Sequence, residues 1–442
     1  MAAILPHLET VNDPSYTNAE RENFRDIKPR VVRGVAGLGA LAAPRSGAGT
    51  ADVSSLQQDV LNNAHAQLVD MAWVRRAAEL QMLGKPFRIQ VGDAEGANKR
   101  EIFIVFDEPM GQVPIWNPPG EGKVKQFKLL SWTSKMGTPS FSLPAGTPGQ
   151  GGACPGATGG QSIVPISKLR PAAESVSRII KRPVVLDQAI CEYCYAEGGR
   201  YGSGQLQYGQ VARFIWTRHA TRTEEATFTE FVPVMDWAVK NANYLLEGGP
   251  VGSGKDKKTY LPERLLLRDM PPGYEHLNGT RAKFFRLHDS GDAYSENYIR
   301  GWKRVADLNP DVIFWAPSRM WALNNGRAWI NKHNRVPANL VMRPSAYMID
   351  TPPPPLPGNN PGWAAGTVVW TDIAKPKGGP MLSGKGTPYD WDCQTYLVEK
   401  KEEKGAETKS CRNALAPDGK IGCRACWVHG SAAPQLVNIR SR

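Results

Sequence analysis

The chain has 442 residues, of which 41% are hydrophobic and 22% charged, and its formal net charge is +12 at pH 7. This composition excludes an intrinsically disordered protein, because it supplies enough apolar side chains for one or two domain cores. The sequence contains no apolar run long enough to span a membrane and no secretory signal pattern, so we expect a cytoplasmic protein with no membrane partner. The surplus of Lys and Arg favours nucleic acid as the partner. A basic surface without a ligand would have the same composition.

The N-terminal part of the chain changes character twice. Residues 1–54 mix Gly, Ala, Pro and charged residues without a period, which predicts a flexible arm. Apolar residues then recur at helical spacing up to Gly84. Three β-like runs follow, at 87–91, 101–106 and 127–132. We therefore predict an N-terminal α+β extension over residues 55–135.

Residues 137–160 are dominated by Gly, Pro, Ser and Thr, which is typical of a domain boundary or a long functional loop. A helical pattern resumes over residues 205–246. Strand-like and helix-like segments then alternate, with strands predicted at 283–288, 312–316, 339–342 and 367–371 and helices at 295–309 and 320–332. This alternation predicts a parallel sheet with crossover helices. We take residues 150–380 as the α/β catalytic core and residues 381–442 as a separate C-terminal module.

The strand that ends at His288 leads directly into Asp289, Ser290, Gly291 and Asp292. In parallel sheets the ligand site lies at the carboxyl ends of the strands, so this turn is the first candidate for an active site. His288, Asp289 and Asp292 are the candidate catalytic residues, because neighbouring carboxylates can divide acid, base or nucleophilic work. The alternative is an ordinary turn whose side chains cap the next helix.

The ends of the next two predicted strands also carry serine and arginine residues, and the first of them carries a tryptophan. Arginine can hold phosphate and tryptophan can stack a base, which makes these positions candidates for substrate binding. A packing role is the alternative for the tryptophan. Together with the turn itself, the candidate substrate-binding residues are Arg286, Ser290, Gly291, Ser318, Arg319, Trp321 and Arg343.

The seven cysteines form two groups. The late group has a C-x2-C pair, two cysteines before it and a histidine after it, and it predicts a zinc module; reduced thiols without metal are the alternative. The late group is Cys393, Cys411, Cys423, Cys426 and His429.

The early group, Cys154, Cys191 and Cys194, is one ligand short of a four-thiolate site. Its spacing fits a second metal completed by a histidine, either His219 or His288, or an iron–sulfur cluster held by three thiolates. The residue pattern does not choose between these two cofactors.

Three motifs together resemble a family of uncharacterised bacteriophage proteins. They are Cys154-Pro155-Gly156-Ala157, the Cys191–Ala196 segment and His288-Asp289-Ser290-Gly291-Asp292. Asp289-Ser290-Gly291 at a strand end, followed by a cysteine-rich module, is also distantly similar to the tRNA-guanine transglycosylase superfamily and its phage DNA-guanine transglycosylases. That resemblance implies a TIM-type barrel or a related parallel α/β core. It also implies that Asp289 handles the base and that a later aspartate, Asp350 or Asp372, attacks the sugar.

These observations lead to one expected function and two alternatives. The expected function is a base-exchange enzyme that replaces guanine in DNA with a 7-deazaguanine derivative, so its partners would be DNA, with RNA not excluded, and the 7-deazaguanine base. The first alternative is an iron–sulfur enzyme acting on nucleic acid. The second is a non-catalytic nucleic-acid-binding protein stabilised by zinc, which predicts salt-sensitive binding that does not depend on Asp289.

Overall fold

The computed structural model describes part of the chain. The described residues are 75–76, 78–80, 82–93, 96, 99–108, 125–133, 138–147, 151–157, 166–180, 183, 186, 190–194, 196, 201, 204–246, 250–251, 258–259, 283–322, 336–348, 351, 367–368, 391–392 and 437–438. The predicted N-terminal arm, Asp350, Asp372 and the whole late cysteine group with His429 lie outside these residues.

Thirteen strands are described, and we number them in chain order. They are β1 Phe87–Val91, β2 Ile102–Phe106, β3 Lys125–Lys128, β4 Ser131–Thr133, β5 Thr138–Phe141, β6 Pro250–Val251, β7 Lys258–Thr259, β8 Lys283–Leu287, β9 Val312–Ser318, β10 Leu340–Pro344, β11 Thr367–Val368, β12 Trp391–Asp392 and β13 Val437–Asn438.

The helices are numbered in the same way. They are α1 Ile166–Ile180, α2 Gly204–Ala220, α3 Glu224–Ala226, α4 Val232–Leu246 and α5 Glu296–Leu308. A π-helical turn, Thr227–Phe231, joins α3 to α4, and short 3-10 helices cover Ile190–Tyr193 and Met320–Ala322. In the described part of the chain, every helix is too short or too polar to cross a membrane.

A five-stranded sheet positions the candidate site. Its strand order is β10-β9-β8-β5-β4. The first four strands run parallel to one another, and only β4 is antiparallel to its neighbour β5. Parallel strands point the same way, so the carboxyl ends of β5, β8, β9 and β10 lie at one edge of the sheet. Three of these four strands were predicted from the sequence: β8, β9 and β10 correspond to the strands predicted at 283–288, 312–316 and 339–342.

Helix α5 is the crossover between β8 and β9, and it covers one face of the sheet. Ser295 caps it, with Oγ accepting a hydrogen bond of 3.2 Å from the Tyr298 backbone nitrogen. Trp302 on its buried side packs against Phe285 of β8 and Phe314 of β9, at ring-centroid distances of 5.7 and 6.2 Å. Burial of these large side chains fixes the helix on the sheet.

The three antiparallel strands β1, β2 and β3 form a second sheet that packs on α2. Arg213 of α2 ties the two parts together, since its Nε donates to the Lys128 carbonyl at 3.0 Å. Ile104 and Phe106 of this small sheet belong to the same buried apolar cluster as Phe285 and Phe314. The described part of the predicted N-terminal α+β extension therefore shares its core with the main sheet.

Residues 137–160 are predicted as a domain boundary or a long loop, and strand β5 occupies the first part of this stretch. Ser140 and Phe141 pair with Arg286 and Leu287 of β8, so the chain enters the main sheet here. The strand was hidden because it is short and contains Pro139, which lowers the β signal. Among the described residues of this stretch, those at 142–147 and 151–157 form the expected loop. The TIM-type barrel stays a prediction.

Candidate functional site

Two chain segments run side by side at the edge where the parallel strands end. The turn after β8 binds the loop after β5 through His288 N to Phe141 O at 2.9 Å and Asp292 N to Ala153 O at 3.3 Å. Between these bonds, Leu143 N donates to Ser290 O at 3.0 Å, and Ser290 Oγ donates to Leu143 O at 2.6 Å. The predicted catalytic turn therefore lies directly against the loop that carries Cys154.

The close approach of these two segments requires a glycine at position 291. Gly291 has φ +81°, and a Cβ atom there would lie 2.7 Å from Leu143 Cβ and 2.9 Å from the Leu143 carbonyl oxygen. A side chain would therefore meet both an unfavourable backbone conformation and a collision. Gly291 supports the turn through this conformation, and Ser290 holds it through the hydroxyl bond to Leu143.

Asp292 lies at the centre of the site and is buried. Its Oδ1 accepts hydrogen bonds from the Ala293 backbone nitrogen at 2.7 Å and from Ser318 Oγ at 2.8 Å, and its Oδ2 accepts one from the Arg319 backbone nitrogen at 2.7 Å. Burial raises the pKa of Asp292, and these three donors oppose the rise. Asp292 thus joins the end of β8 to the end of β9, and both of its oxygens are engaged.

Asp289 has different surroundings, with a side chain that is 22% exposed. One of its oxygens lies 2.5 Å from Arg286 Nη1, and the other accepts a hydrogen bond from the Tyr201 hydroxyl. Arg286 also lies over the ring of Trp315, 5.0 Å from its centroid. Asp289 is the more exposed of the two aspartates in the turn, since the Asp292 side chain is 10% exposed.

His288 has a left-handed backbone conformation, with φ 59°. In an extended strand its side chain would share a face with Arg286, but the positive φ turns the ring towards α5, where Nε2 lies 2.8 Å from the Tyr298 hydroxyl. Its Nδ1 has no hydrogen-bond partner among the described residues and lies 4.0 Å from Asp292 Oδ1. Burial and the nearby Arg286 charge lower the pKa of His288 to about 3, so the imidazole is neutral and this contact is not an ion pair.

Tyr347, just after β10, connects the two segments that carry the early cysteines. Its carbonyl accepts a hydrogen bond of 2.9 Å from the Ile190 backbone nitrogen, next to Cys191. Its hydroxyl donates to the Gly156 carbonyl at 3.3 Å, two residues beyond Cys154. One residue at the end of β10 therefore holds both cysteine segments at the same edge of the sheet.

The three early cysteines interact with one another and with Arg319. Burial raises the pKa of the Cys154 thiol well above its usual range, and negative charge at Asp292, Cys194 and Cys191 raises it further. For Arg319, burial lowers the guanidinium pKa, but negative charge at the three cysteines and Asp292 outweighs burial and raises it.

The side chains of the three early cysteines are the donor type that binds a metal or an iron–sulfur cluster once they are deprotonated. Among the described residues, no three His, Cys, Asp or Glu side chains already share the geometry of a metal site. The proposed histidine ligand His219 lies elsewhere, 3.4 Å from Glu230 and with half of its side chain exposed.

Several candidate substrate-binding residues pack in the core or form hydrogen bonds within the protein. Trp321 is 2% exposed, and its indole nitrogen donates to the Ser345 carbonyl at 2.6 Å. It packs as a core residue, which was the alternative weighed for it. Ser318 holds Asp292, and Arg343 is fully buried within β10. Arg319 and Arg286 are the two predicted arginines that contact the carboxylates of the turn.

Sequence patterns missed Tyr347, Tyr201 and Tyr298. The only sequence signal for Tyr347 was its position just after a predicted strand. Its two hydrogen bonds depend on which loops meet at that strand end, and the sequence pattern does not show this. Tyr201 lies seven residues after Cys194, in a segment without a helical or strand period. Tyr298 is on α5, where an aromatic residue facing the sheet is expected to be core and not a histidine partner.

Comparison with known proteins relates this part of the chain to phage proteins. Residues 266–429 match the family model described as Gene product 88. A segment of 38 residues is 50% identical to the Gene 88 protein of Mycobacterium phage L5, covering 9% of this chain and 16% of that protein. The matched segment is therefore a small part of this curated relative. No solved structure matches the chain. The family match includes the turn after β8 and the late cysteines, but it begins after the early cysteine group.

Proposed function

We propose that this protein is a phage-type enzyme that acts on nucleic acid through an iron–sulfur cluster held by Cys154, Cys191 and Cys194. The observation that carries this proposal is the meeting of the two cysteine segments at Tyr347, on the edge where ligands bind in parallel sheets. Such a cluster supplies one-electron chemistry when bound. A nucleic-acid substrate fits the formal charge of +12.

The residues around the cysteines have roles that fit this proposal. Arg319 provides positive charge beside the thiolates, and Asp292 fixes the backbone at Arg319. Three thiolates leave one coordination position without a protein ligand, which is the arrangement that metal sites use for chemistry. Asp289 and Arg286 lie at the same edge and can contact the sugar or phosphate of a substrate.

Metal analysis of the full chain, purified without oxygen, tests the cofactor. We expect iron and acid-labile sulfide, and a brown protein absorbing near roughly 400 nm, as iron–sulfur charge transfer does. Cys154→Ser should lose the iron and the colour. Cys393→Ser is the matched control, because it changes the late group and should lower zinc while leaving iron in place. Zinc in place of iron, lost on the Cys154→Ser change, would contradict the cluster.

A second candidate is base exchange in DNA, with guanine replaced by a 7-deazaguanine, and the partial exposure of Asp289 favours it. Exchange needs a carboxylate that can reach an extruded nucleotide, and Asp292 is too fully engaged for that task. In this case Asp289 would contact the base, with Asp350 or Asp372 attacking the sugar.

Nucleoside analysis by mass spectrometry separates the candidates. DNA from cells that express the protein is compared with DNA from cells that express Asp289→Asn. A deazaguanine nucleoside that disappears with the substitution supports base exchange. Unmodified DNA with an intact iron content supports the iron–sulfur enzyme alone. Salt-sensitive DNA binding in a protein without iron or modified nucleosides would support the zinc-stabilised binding protein.

A further inference from the structure

Two arginines from distant parts of the chain share one buried carboxylate, that of Glu79. Arg76, one helical turn before it, places Nη1 2.5 Å from Glu79 Oε2. Arg218, in the last turn of α2, places Nη1 3.3 Å from Glu79 Oε1. Each carboxylate oxygen thus pairs with one guanidinium. We call these three residues the Glu79 cluster, and its formal charge is positive because one carboxylate balances only one of the two arginines.

Arg76 is the more exposed arginine of the Glu79 cluster. Its side chain is 22% exposed, compared with 11% for Arg218. Among the described residues, the only hydrogen bond or ion pair of the Arg76 side chain runs through Nη1 to Glu79. Its Nε and Nη2 groups are therefore available as donors to a ligand. The planar fork of donors on a guanidinium matches the oxygens of a phosphate.

The Glu79 cluster lies beside the loop after β5. A Cβ atom at Gly151 of this loop would lie 2.9 Å from the Arg75 carbonyl oxygen and 2.9 Å from the Arg76 backbone nitrogen. Two residues further along the loop, the Ala153 carbonyl accepts the hydrogen bond from the Asp292 backbone nitrogen. The loop therefore contacts the backbone at Arg76 on one side and the candidate catalytic turn on the other.

A purely structural ion-pair network is the alternative for this cluster. Such a network is most favourable when its charges balance, since every buried charge costs desolvation free energy. Arg300 shows the opposite ratio of charges, because it pairs with two carboxylates, Glu224 at 2.6 Å and Glu296 at 3.3 Å. The Glu79 cluster instead combines two cations with one anion, and this ratio favours an additional negative group from outside the protein.

We propose that Arg76 and Arg218 form a phosphate-binding site for the backbone of the nucleic-acid substrate. The inference rests on the proposed function for its choice of substrate, and it does not depend on which metal the protein holds. Phosphate contacts position a nucleic acid without reading its sequence. The site holds the strand beside the loop after β5, so that a neighbouring nucleotide reaches the edge where β8 and β9 end.

Fluorescence anisotropy of a labelled double-stranded DNA oligonucleotide with the full chain, at several salt concentrations, tests this site. Arg76→Gln leaves Glu79 paired with Arg218, so the variant keeps a balanced ion pair. It should bind DNA roughly tenfold more weakly, as expected for losing a hydrogen bond to a charged group. The slope of log affinity against log salt should fall by about 0.9, the value for one lost phosphate contact. Arg300→Gln is the matched control, because it removes the same charge from a cluster with two carboxylates, and it should leave the slope unchanged.

Arginine labelling of the wild-type protein gives a second readout that needs no variant. Phenylglyoxal modifies guanidinium groups, and mass spectrometry of the peptides reports each position. Bound DNA should slow the labelling of Arg76. Arg88 is the control, because its side chain is 51% exposed and pairs with Asp107 at the small sheet, and DNA should not change its labelling rate. If Arg76→Gln fails to fold, the labelling result decides.

The possible outcomes are distinct. Wild-type protein that does not bind DNA would remove the nucleic-acid substrate from the proposed function, and this inference with it. DNA binding that is the same in Arg76→Gln, or labelling of Arg76 that DNA does not slow, would overturn the inference and leave the proposed function standing. Protection of Arg76 by inorganic phosphate but not by DNA would indicate a site for a free anion and would also overturn it.

Discussion

The backbone nitrogen of Arg319 donates a hydrogen bond of 2.7 Å to Oδ2 of Asp292. This bond joins the first residue after β9 to the turn after β8, and it fixes where the Arg319 side chain begins. Because the carboxylate also binds Ser318 and Ala293, one buried group sets the relative position of two strand ends. The site therefore depends on Asp292 for its shape, whichever chemistry it performs.

Asp292→Asn should destabilise the protein by roughly 1.5–3 kcal/mol, the range for hydrogen bonds to a charged group. An amide replaces one acceptor by a donor, so either the Arg319 or the Ala293 backbone nitrogen loses its partner. Urea unfolding measures the loss. Ser318→Ala removes the hydroxyl that donates to Asp292 and accepts from the Met320 backbone nitrogen, and it should cost roughly 1.5–3 kcal/mol. Equal stability of Asp292→Asn and the wild type would contradict the assigned role.

Gly291→Ala should cost more than the strain of its backbone conformation alone. The left-handed conformation costs an ordinary residue about 1–2 kcal/mol, and the contact of 2.7 Å with Leu143 adds to it. Gly96→Ala is the control, because Gly96 has φ +74° and no atom lies within 4 Å of the added Cβ. The midpoint temperature of thermal unfolding should be well lower for Gly291→Ala than for Gly96→Ala. Similar losses in the two variants would mean that the loop after β5 moves freely away from the turn.

Tyr347→Phe should loosen the loop that carries Cys154, since it removes the hydroxyl bond to Gly156. We expect faster alkylation of Cys154 in metal-free protein, read by mass spectrometry of the Cys154 peptide. Tyr208→Phe is the control, because the Tyr208 hydroxyl is buried and forms no hydrogen bond within the described residues. An alkylation rate that changes equally in both variants would contradict a specific contact.

The sequence predicted the strand ends but not how the loops meet there. Runs such as Val312–Ser318 are apolar and alternate with helical segments, so a parallel order followed directly. Parallel order then brought Asp292, Ser318 and Arg319 to one edge. Strand β5 escaped detection because four residues with a proline give little pattern. The contacts of Tyr347 depend on two distant loops and have no local signal.

The orientation of His288 is a second feature that the sequence did not reveal. Strand alternation places it on the Arg286 face, whereas the left-handed backbone turns it to Tyr298 on α5. The cause lies in the bonds of the turn to Leu143 and Ala153, which fix the backbone on both sides of Gly291. Such a conformation is costly for histidine, and tertiary contacts hold it in place.

His288→Asn should weaken the acid sensitivity of the protein. Burial lowers the pKa of His288 in the folded state to about 3, against 6.5 for a free imidazole. Between these two values the unfolded chain binds one more proton than the folded chain. The free energy of unfolding therefore falls as pH decreases through this window, by about 1.4 kcal/mol per pH unit for one proton. Above pH 6.5 the histidine adds no pH dependence.

Asparagine does not titrate and tolerates a positive φ, so His288→Asn removes this dependence without adding backbone strain. Urea unfolding at several values between pH 4.5 and 6.5 gives the slope for each protein. We expect the free energy of unfolding to change with pH less steeply in the variant, by about 1.4 kcal/mol per pH unit, which corresponds to one proton. This difference does not depend on the stability of the variant at neutral pH. Asp292 and the other carboxyl groups are present in both proteins, so their contributions cancel in the difference. Parallel curves for the two proteins would show that His288 is protonated in the folded state, and the contact with Asp292 would then be an ion pair.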